Sequence, residues 1–157
     1  MRVLRTWAVI FALTSLLLPM SGRGKTQCES GAMLTQRLSC YIQAAEAAGN
    51  PAVCLESPEP SIRFNCISLY AEHNEAPAAC SLIEAEEAQR PHLRAACVSG
   101  VAVANRNPAL CATVEQPLVK DTCYSFLVLE QGMDKALCEN IENKALQEAC
   151  NTPKGSN

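Results

Sequence analysis

Apolar residues recur at helical spacing around regularly placed cysteines in this chain. In three segments an apolar pair spaced i, i+4 brackets a cysteine, and these pairs are Ala79/Ile83, Leu110/Val114 and Leu137/Ile141. In four other segments an apolar residue lies four positions before a cysteine, at Ile62, Leu93, Val119 and Leu146. Both spacings place the residues on one stripe of a helix. No stretch of five or more residues alternates with period two, so the pattern predicts an all-α chain.

Ten cysteines divide the chain into about five repeats. They are Cys28, Cys40, Cys54, Cys66, Cys80, Cys97, Cys111, Cys123, Cys138 and Cys150. The intervals between them are 11, 13, 11, 13, 16, 13, 11, 14 and 11 residues, which alternate between short and long except in the third unit. Such a period is typical of stacked supersecondary units, and paired cysteines are typical of an oxidising compartment.

Prolines and polar residues mark where the helices begin. Proline, which is favoured at the first position of a helix, precedes the first cysteine of a unit by three residues (Pro51, Pro77, Pro108) or the second by six (Pro60, Pro91, Pro117). Asn50, Asn107, Asp134 and Asn143 hold N-cap positions. The sequence therefore predicts a short α-solenoid, a helical array of about five disulfide-stapled α-hairpin repeats.

The distance of each cysteine from the nearest turn favours sequential pairing. Cys40 lies ten residues before Asn50 and Cys54 only four after it. That mismatch of six residues corresponds to about 9 Å of helix. A disulfide requires Cα atoms within about 7 Å. We therefore predict the pairs Cys28–Cys40, Cys54–Cys66, Cys80–Cys97, Cys111–Cys123 and Cys138–Cys150, although sequence alone does not prove a connectivity.

The extra residues of the third unit lie around Glu84–Glu87. We expect them either to lengthen the first helix of that unit by a turn or to extend its loop.

The first 24 residues have the character of a secretory signal peptide. Arg2 and Arg5 precede an apolar run of twelve residues, Trp7–Leu18, which is shorter than the roughly 20 needed to span a bilayer. Small residues place the cleavage after Gly24, and no lipobox precedes Cys28. We predict a signal peptide at 1–24, a disulfide-rich helical-repeat domain at 25–150 and a polar disordered tail at 151–157. The protein is then secreted or periplasmic, without a membrane span after cleavage.

Charge and motifs narrow the function. Cleavage after Gly24 leaves 10 basic against 16 acidic residues, a net charge of −6, which disfavours nucleic acid as a partner. The nearest cysteines are 12 positions apart, too far for a zinc site, and neither His73 nor His92 has a carboxylate at metal-ligand spacing. We predict no catalytic residue, no metal and no cofactor, and hence a protein that is not an enzyme.

A basic residue recurs three positions before the second cysteine of four units. These residues, which we call the basic ladder, are Arg37, Arg63, Arg94 and Lys120. On an acidic protein a ladder of this kind suits a docking strip for an acidic partner or an anionic glycan. The alternative is a solvated face whose charges pair with Glu56, Glu84 or Glu115, and such pairs contribute only about 0–1 kcal/mol.

The favoured function is a non-enzymatic protein-interaction or structural module that binds a protein partner. One alternative is a carrier for a small apolar ligand such as a lipid, because the helix at Val119–Leu129 comes close to being apolar on two faces. The other is an enzyme inhibitor that presents the loop Glu56–Ser61, or an unrecognised hydrolase.

Overall fold

The computed structural model describes residues 28–30, 33–83 and 92–152, and within them every regular element is a helix. This confirms the all-α prediction. The predicted signal peptide at 1–24 and the residues Glu84–Glu87 lie outside the described residues.

Longer and shorter helices alternate along the chain. The longer helices are α1 (Leu34–Ala48), α3 (Pro60–His73), α5 (His92–Ala104), α7 (Pro117–Leu129) and α9 (Lys144–Asn151). The shorter ones are α2 (Pro51–Glu56), α4 (Pro77–Leu82), α6 (Pro108–Ala112) and α8 (Lys135–Asn140). Of these four, α2, α4 and α8 are 3₁₀ helices, while Cys28 lies in a short helical segment before α1.

The helix starts follow the signals read in the sequence. Helices α2, α3, α4, α6 and α7 all begin with proline, whose missing N–H costs nothing there. The four predicted N-caps accept backbone N–H groups at 2.9–3.2 Å; they are Asn50, Asn107, Asp134 and Asn143. Because both signals act within a few residues, neighbouring units do not alter them.

The ten cysteines form five sequential disulfides, the pairs that the distances from the turns favour. Their Cα atoms are 5.4–5.8 Å apart, and each bond joins a longer helix to the segment that precedes it. All except Cys40 are buried. A closed loop of this length contributes about 3 kcal/mol in the chain-entropy model, against a net stability of about 5–15 kcal/mol for a typical domain.

The first helices of units three to five end before Ile83, Val114 and Ile141, the residues that the i, i+4 pairs placed on them. Helices α2, α4 and α8 give way to extended backbone at Ser57, Ile83 and Ile141. These three side chains, with Val114 of the fourth unit, are buried. We attribute the early end of each of these helices to the buried residue that follows it, whose side chain turns into the core. Helix α4 is six residues long, as is α2, so the extra residues of the third unit do not lengthen it.

The units stack in one dimension. Each longer helix packs against the next longer helix, so that α1, α3, α5, α7 and α9 form a row. Each shorter helix lies between two of them, as α2 does between α1 and α3. The described part of the chain is therefore a solenoid in which extensive helix contacts join neighbours.

A left-handed residue occurs at each passage from a longer helix to the next shorter one. These residues are Gly49, Glu75, Arg106 and Gly132, with φ between 51° and 64°.

At the C-terminal end of the array, Asn151 is the last residue of α9, and the N–H of Thr152 caps that helix. Helix α9 therefore ends one residue after Cys150.

Candidate binding groove between α5 and α7

Two members of the basic ladder donate to backbone carbonyls at the C-terminal end of the shorter helix of their own unit or just after it. The Arg63 guanidinium donates to the carbonyls of Ser57 at 3.0 Å and Pro58 at 3.2 Å. Arg94 likewise donates to the carbonyls of Ser81 at 3.3 Å and Ile83 at 2.9 Å. Carbonyls at a helix C-terminus carry partial negative charge, so a guanidinium there is stabilising.

The other two members pair with acidic residues of the following unit. Arg37 forms an ion pair with Glu59 and approaches Glu29 at 3.9 Å. The Lys120 ammonium lies 2.8 Å from Glu142. All four ladder residues therefore have contacts inside the array, with partners other than the glutamates considered from the sequence. Their role as a docking strip stays a prediction.

An open groove of about 590 Å³ runs between α5 and α7. Its walls are mostly apolar or small side chains: Ala96, Ser99, Gly100, Val103 and Ala104 from α5, and Leu118, Val119, Thr122 and Phe126 from α7. Glu72, in the last turn of α3, completes the lining. The volume lies in the range of ligand sites, about 300–1,000 Å³.

Helix α7 forms the apolar wall because it is apolar on two faces. Cys123, Tyr124 and Leu127 are buried in the array. On the groove side, Leu118 is 65% exposed and Phe126 is 48% exposed. A contiguous exposed apolar surface of this kind marks an interaction site more often than isolated apolar residues do.

Helix α5 forms the floor because its groove face carries small residues. Gly100 lies three positions after Cys97, where α7 has Phe126 three positions after Cys123. A Cβ built on Gly100 would lie 3.3 Å from Cδ of Glu72 and closer still to Oε1. Because glycine has no side chain, the carboxyl group of Glu72 can occupy this space over α5.

Among the described residues that line the groove, Glu72 is the one that carries a charge. Burial raises the pKa of its carboxyl group, and the adjacent His73 opposes the shift. The imidazole of His73 lies 2.8 Å from Glu46 of α1, so that side chain is already engaged. The groove thus combines an apolar wall with one half-buried carboxyl group.

A smaller groove of about 360 Å³ lies over α1. Its lining includes Ser39 and Gln43, which hold the same positions relative to Cys40 as Ala96 and Gly100 hold relative to Cys97. Both grooves therefore occupy one face of the stacked helices. That face is mixed over α1, where Ser39, Gln43 and Glu46 lie beside Leu38 and Ile42, and it is more apolar between α5 and α7.

Other sequence candidates are placed elsewhere. The loop proposed for an inhibitor is held to the array, because Ser57 is buried and Glu59 pairs with Arg37. His92 is exposed at the start of α5. Across residues 28–30, 33–83 and 92–152, no group of three or more His, Cys, Asp or Glu side chains is arranged to hold a metal ion. In the same residues, no helix has the length and apolar character to cross a membrane.

The sequence pointed to α7 through its two apolar faces, but it did not reveal the groove. The small residues of α5 and the side chain of Glu72 line one groove only because α3, α5 and α7 pack side by side. No protein-family model, curated protein or solved structure matches this chain.

Proposed function

We propose that this chain is a secreted or periplasmic, non-enzymatic interaction module that binds an apolar segment of a protein partner in the groove between α5 and α7. The observation that carries the proposal is the exposure of Leu118 and Phe126 beside the small residues of α5. Aromatic anchors in such a groove dominate binding energy in many interfaces.

Four features support the proposed compartment and the proposed role. The five disulfides belong to an oxidising compartment, and the N-terminal sequence has the character of an export signal. Stapled helices also present a preorganised surface, so little ordering entropy is lost on binding. The acidic net charge supports a protein partner over nucleic acid.

The test compares two matched surface variants. Phe126 and Leu34 are both 48% exposed, but Leu34 lies at the start of α1, away from this groove. A partner is captured from the native compartment with the unaltered protein, purified, and titrated calorimetrically against each variant. We expect Phe126→Glu to weaken binding at least about tenfold, or 1.4 kcal/mol, and Leu34→Glu to leave it unchanged. Equal affinities for the two variants would refute the proposal.

A carrier for a small apolar ligand is the second candidate. The two apolar faces of α7 and the groove volume favour it. Native mass spectrometry of the secreted protein distinguishes the two functions. A carrier retains a bound lipid, and the Phe126→Glu variant should lose it.

A further inference from the structure

We infer that the partner segment carries a lysine or arginine side chain that pairs with Glu72, next to the apolar residues that contact Phe126. This inference rests on the proposed function and names the chemistry of the partner. It follows from the position of one carboxyl group among described lining residues that are otherwise uncharged.

The first observation is that the carboxylate oxygens of Glu72 are available to accept a hydrogen bond from a ligand. In the part of the chain that the structure describes, no ion pair or side-chain hydrogen bond engages its carboxyl group. The neighbouring cation candidate, His73, is turned to Glu46 of α1. The side chain of Asn105, the residue after α5, donates to Glu72 only at the backbone carbonyl, at 3.2 Å. A ligand in the groove would therefore meet a carboxylate with free lone pairs.

The second observation is that α5 makes room for this carboxyl group. Any side chain at position 100 would displace it, as the short distance from a built Cβ to Cδ shows. Glycine in the middle of a helix is unfavourable by about 1 kcal/mol relative to alanine. The close approach of Gly100 to Glu72 gives this glycine a structural use.

The third observation is the apolar surroundings. Val103, Leu118 and Phe126 line the same groove, so a charge that enters it loses part of its hydration. An opposite charge is attracted more strongly in such surroundings than in water. Lysine and arginine suit the site because their alkyl stems cover apolar surface while the charged end reaches the carboxylate.

The shape of the groove favours a peptide segment as the carrier of that cation. The groove is open, and its α7 wall runs from Leu118 to Phe126, about 12 Å or two helical turns. An amphipathic helix presents side chains at matching i and i+4 spacing when it lies in a groove. An enclosed cavity would suit a lipid amine better than this open groove does.

The experiment selects peptides on the intact oxidised protein from a phage-displayed library of random sequences. We expect the selected peptides to be enriched in leucine, isoleucine or phenylalanine beside lysine or arginine. Selection on Glu72→Gln should retain the apolar preference and lose the basic one. Glu139→Gln is the matched control, since it removes an exposed carboxylate of α8 that does not line this groove, and it should leave both preferences intact.

A selected peptide is then compared with an analogue in which the basic residue is replaced by norleucine or citrulline. Loss of the cation should weaken binding to the unaltered protein about tenfold and leave binding to Glu72→Gln unchanged. Apolar peptides without a basic preference, or a preference that persists in Glu72→Gln, would overturn this inference and leave the proposed function standing. Peptides indifferent to Phe126→Glu would overturn both. Binding of dodecylamine in the absence of any peptide would assign the groove to an amphiphilic amine and overturn the inference as well.

Discussion

The carboxylate of Asp121 on α7 accepts the backbone N–H of Asn143 at 2.9 Å. Its other oxygen accepts the N–H of Glu142 at 3.0 Å, and the residue is only 2% exposed. Asn143 in turn caps α9 through Leu146. One buried acid of the fourth unit therefore holds the loop from which the last helix starts.

We expect Asp121→Ala to lower the free energy of unfolding by about 2–4 kcal/mol, because it removes two part-buried hydrogen bonds to a charged acceptor. The measurement is urea unfolding of the oxidised protein. Asp134→Ala is the comparison, since Asp134 caps α8 from an exposed position and should contribute only about 1 kcal/mol. Equal losses in the two variants would contradict the special role of Asp121.

Gly100 and Glu72 should be coupled in a double-mutant cycle. Alanine is favoured over glycine within a helix by about 1 kcal/mol, so Gly100→Ala should stabilise α5 by that amount when Glu72 has been changed to Ala. With Glu72 present, the added methyl group displaces the carboxyl group, and the gain should shrink or reverse. Urea unfolding of the four proteins measures the coupling. Identical effects of Gly100→Ala in both backgrounds would show that the two residues do not interact.

The stability of the protein should fall in alkaline solution through Tyr41. Burial and a hydrogen bond of 2.7 Å to Glu29 raise the pKa of Tyr41 to about 12. An unfolded tyrosine titrates near pH 10, so the unfolded chain loses this proton first. The stabilisation is fully present below about pH 10 and is lost between about pH 10 and pH 12.

The phenolate absorbance of the folded protein should therefore contain one late step that is absent from Tyr41→Phe. Unfolding experiments across the same range should show a shallower alkaline decline for the variant. A late step that persists in Tyr41→Phe would assign it to another tyrosine.

Glu75 has a left-handed backbone with φ of 51°, a conformation that glycine adopts without steric cost. We expect Glu75→Gly to raise the free energy of unfolding by up to about 1 kcal/mol, since left-handed backbone costs other residues roughly 1–2 kcal/mol. The thermal midpoint of unfolding measures the change. Gly49→Glu is the reciprocal control at the equivalent turn and should be destabilising. A loss of stability in Glu75→Gly would contradict the expectation.

Arg63 distinguishes the two interpretations of the basic ladder. If its main role is to cap α2, Arg63→Met should cost about 1–3 kcal/mol through lost bonds to the carbonyls of Ser57 and Pro58. Replacement of the exposed Lys144 by Met should change stability by less than about 0.5 kcal/mol. The opposite pattern for Arg63→Met, with unchanged stability and weakened partner binding, would support the docking strip.

Much of the architecture could be predicted because its determinants are local. Proline at the first helical position and Asn50 or Asp134 as N-caps act within a few residues. The cysteine spacing favoured the observed disulfides because the cysteines of each pair lie at similar distances from the turn between them, whereas Cys40 and Cys54 do not. The early ends of α2, α4 and α8 were missed, since they depend on Ser57, Ile83 and Ile141 finding space in a core that neighbouring units build.

What the sequence by itself determined is therefore a disulfide-stapled row of helices, because capping, helical periodicity and loop closure operate within single units. The tertiary structure decided the surface. Only the side-by-side packing of α3, α5 and α7 brings Glu72 over Gly100 and leaves Leu118 and Phe126 facing solvent. These residues are separated by up to 54 positions in the chain, and no local spacing rule relates them.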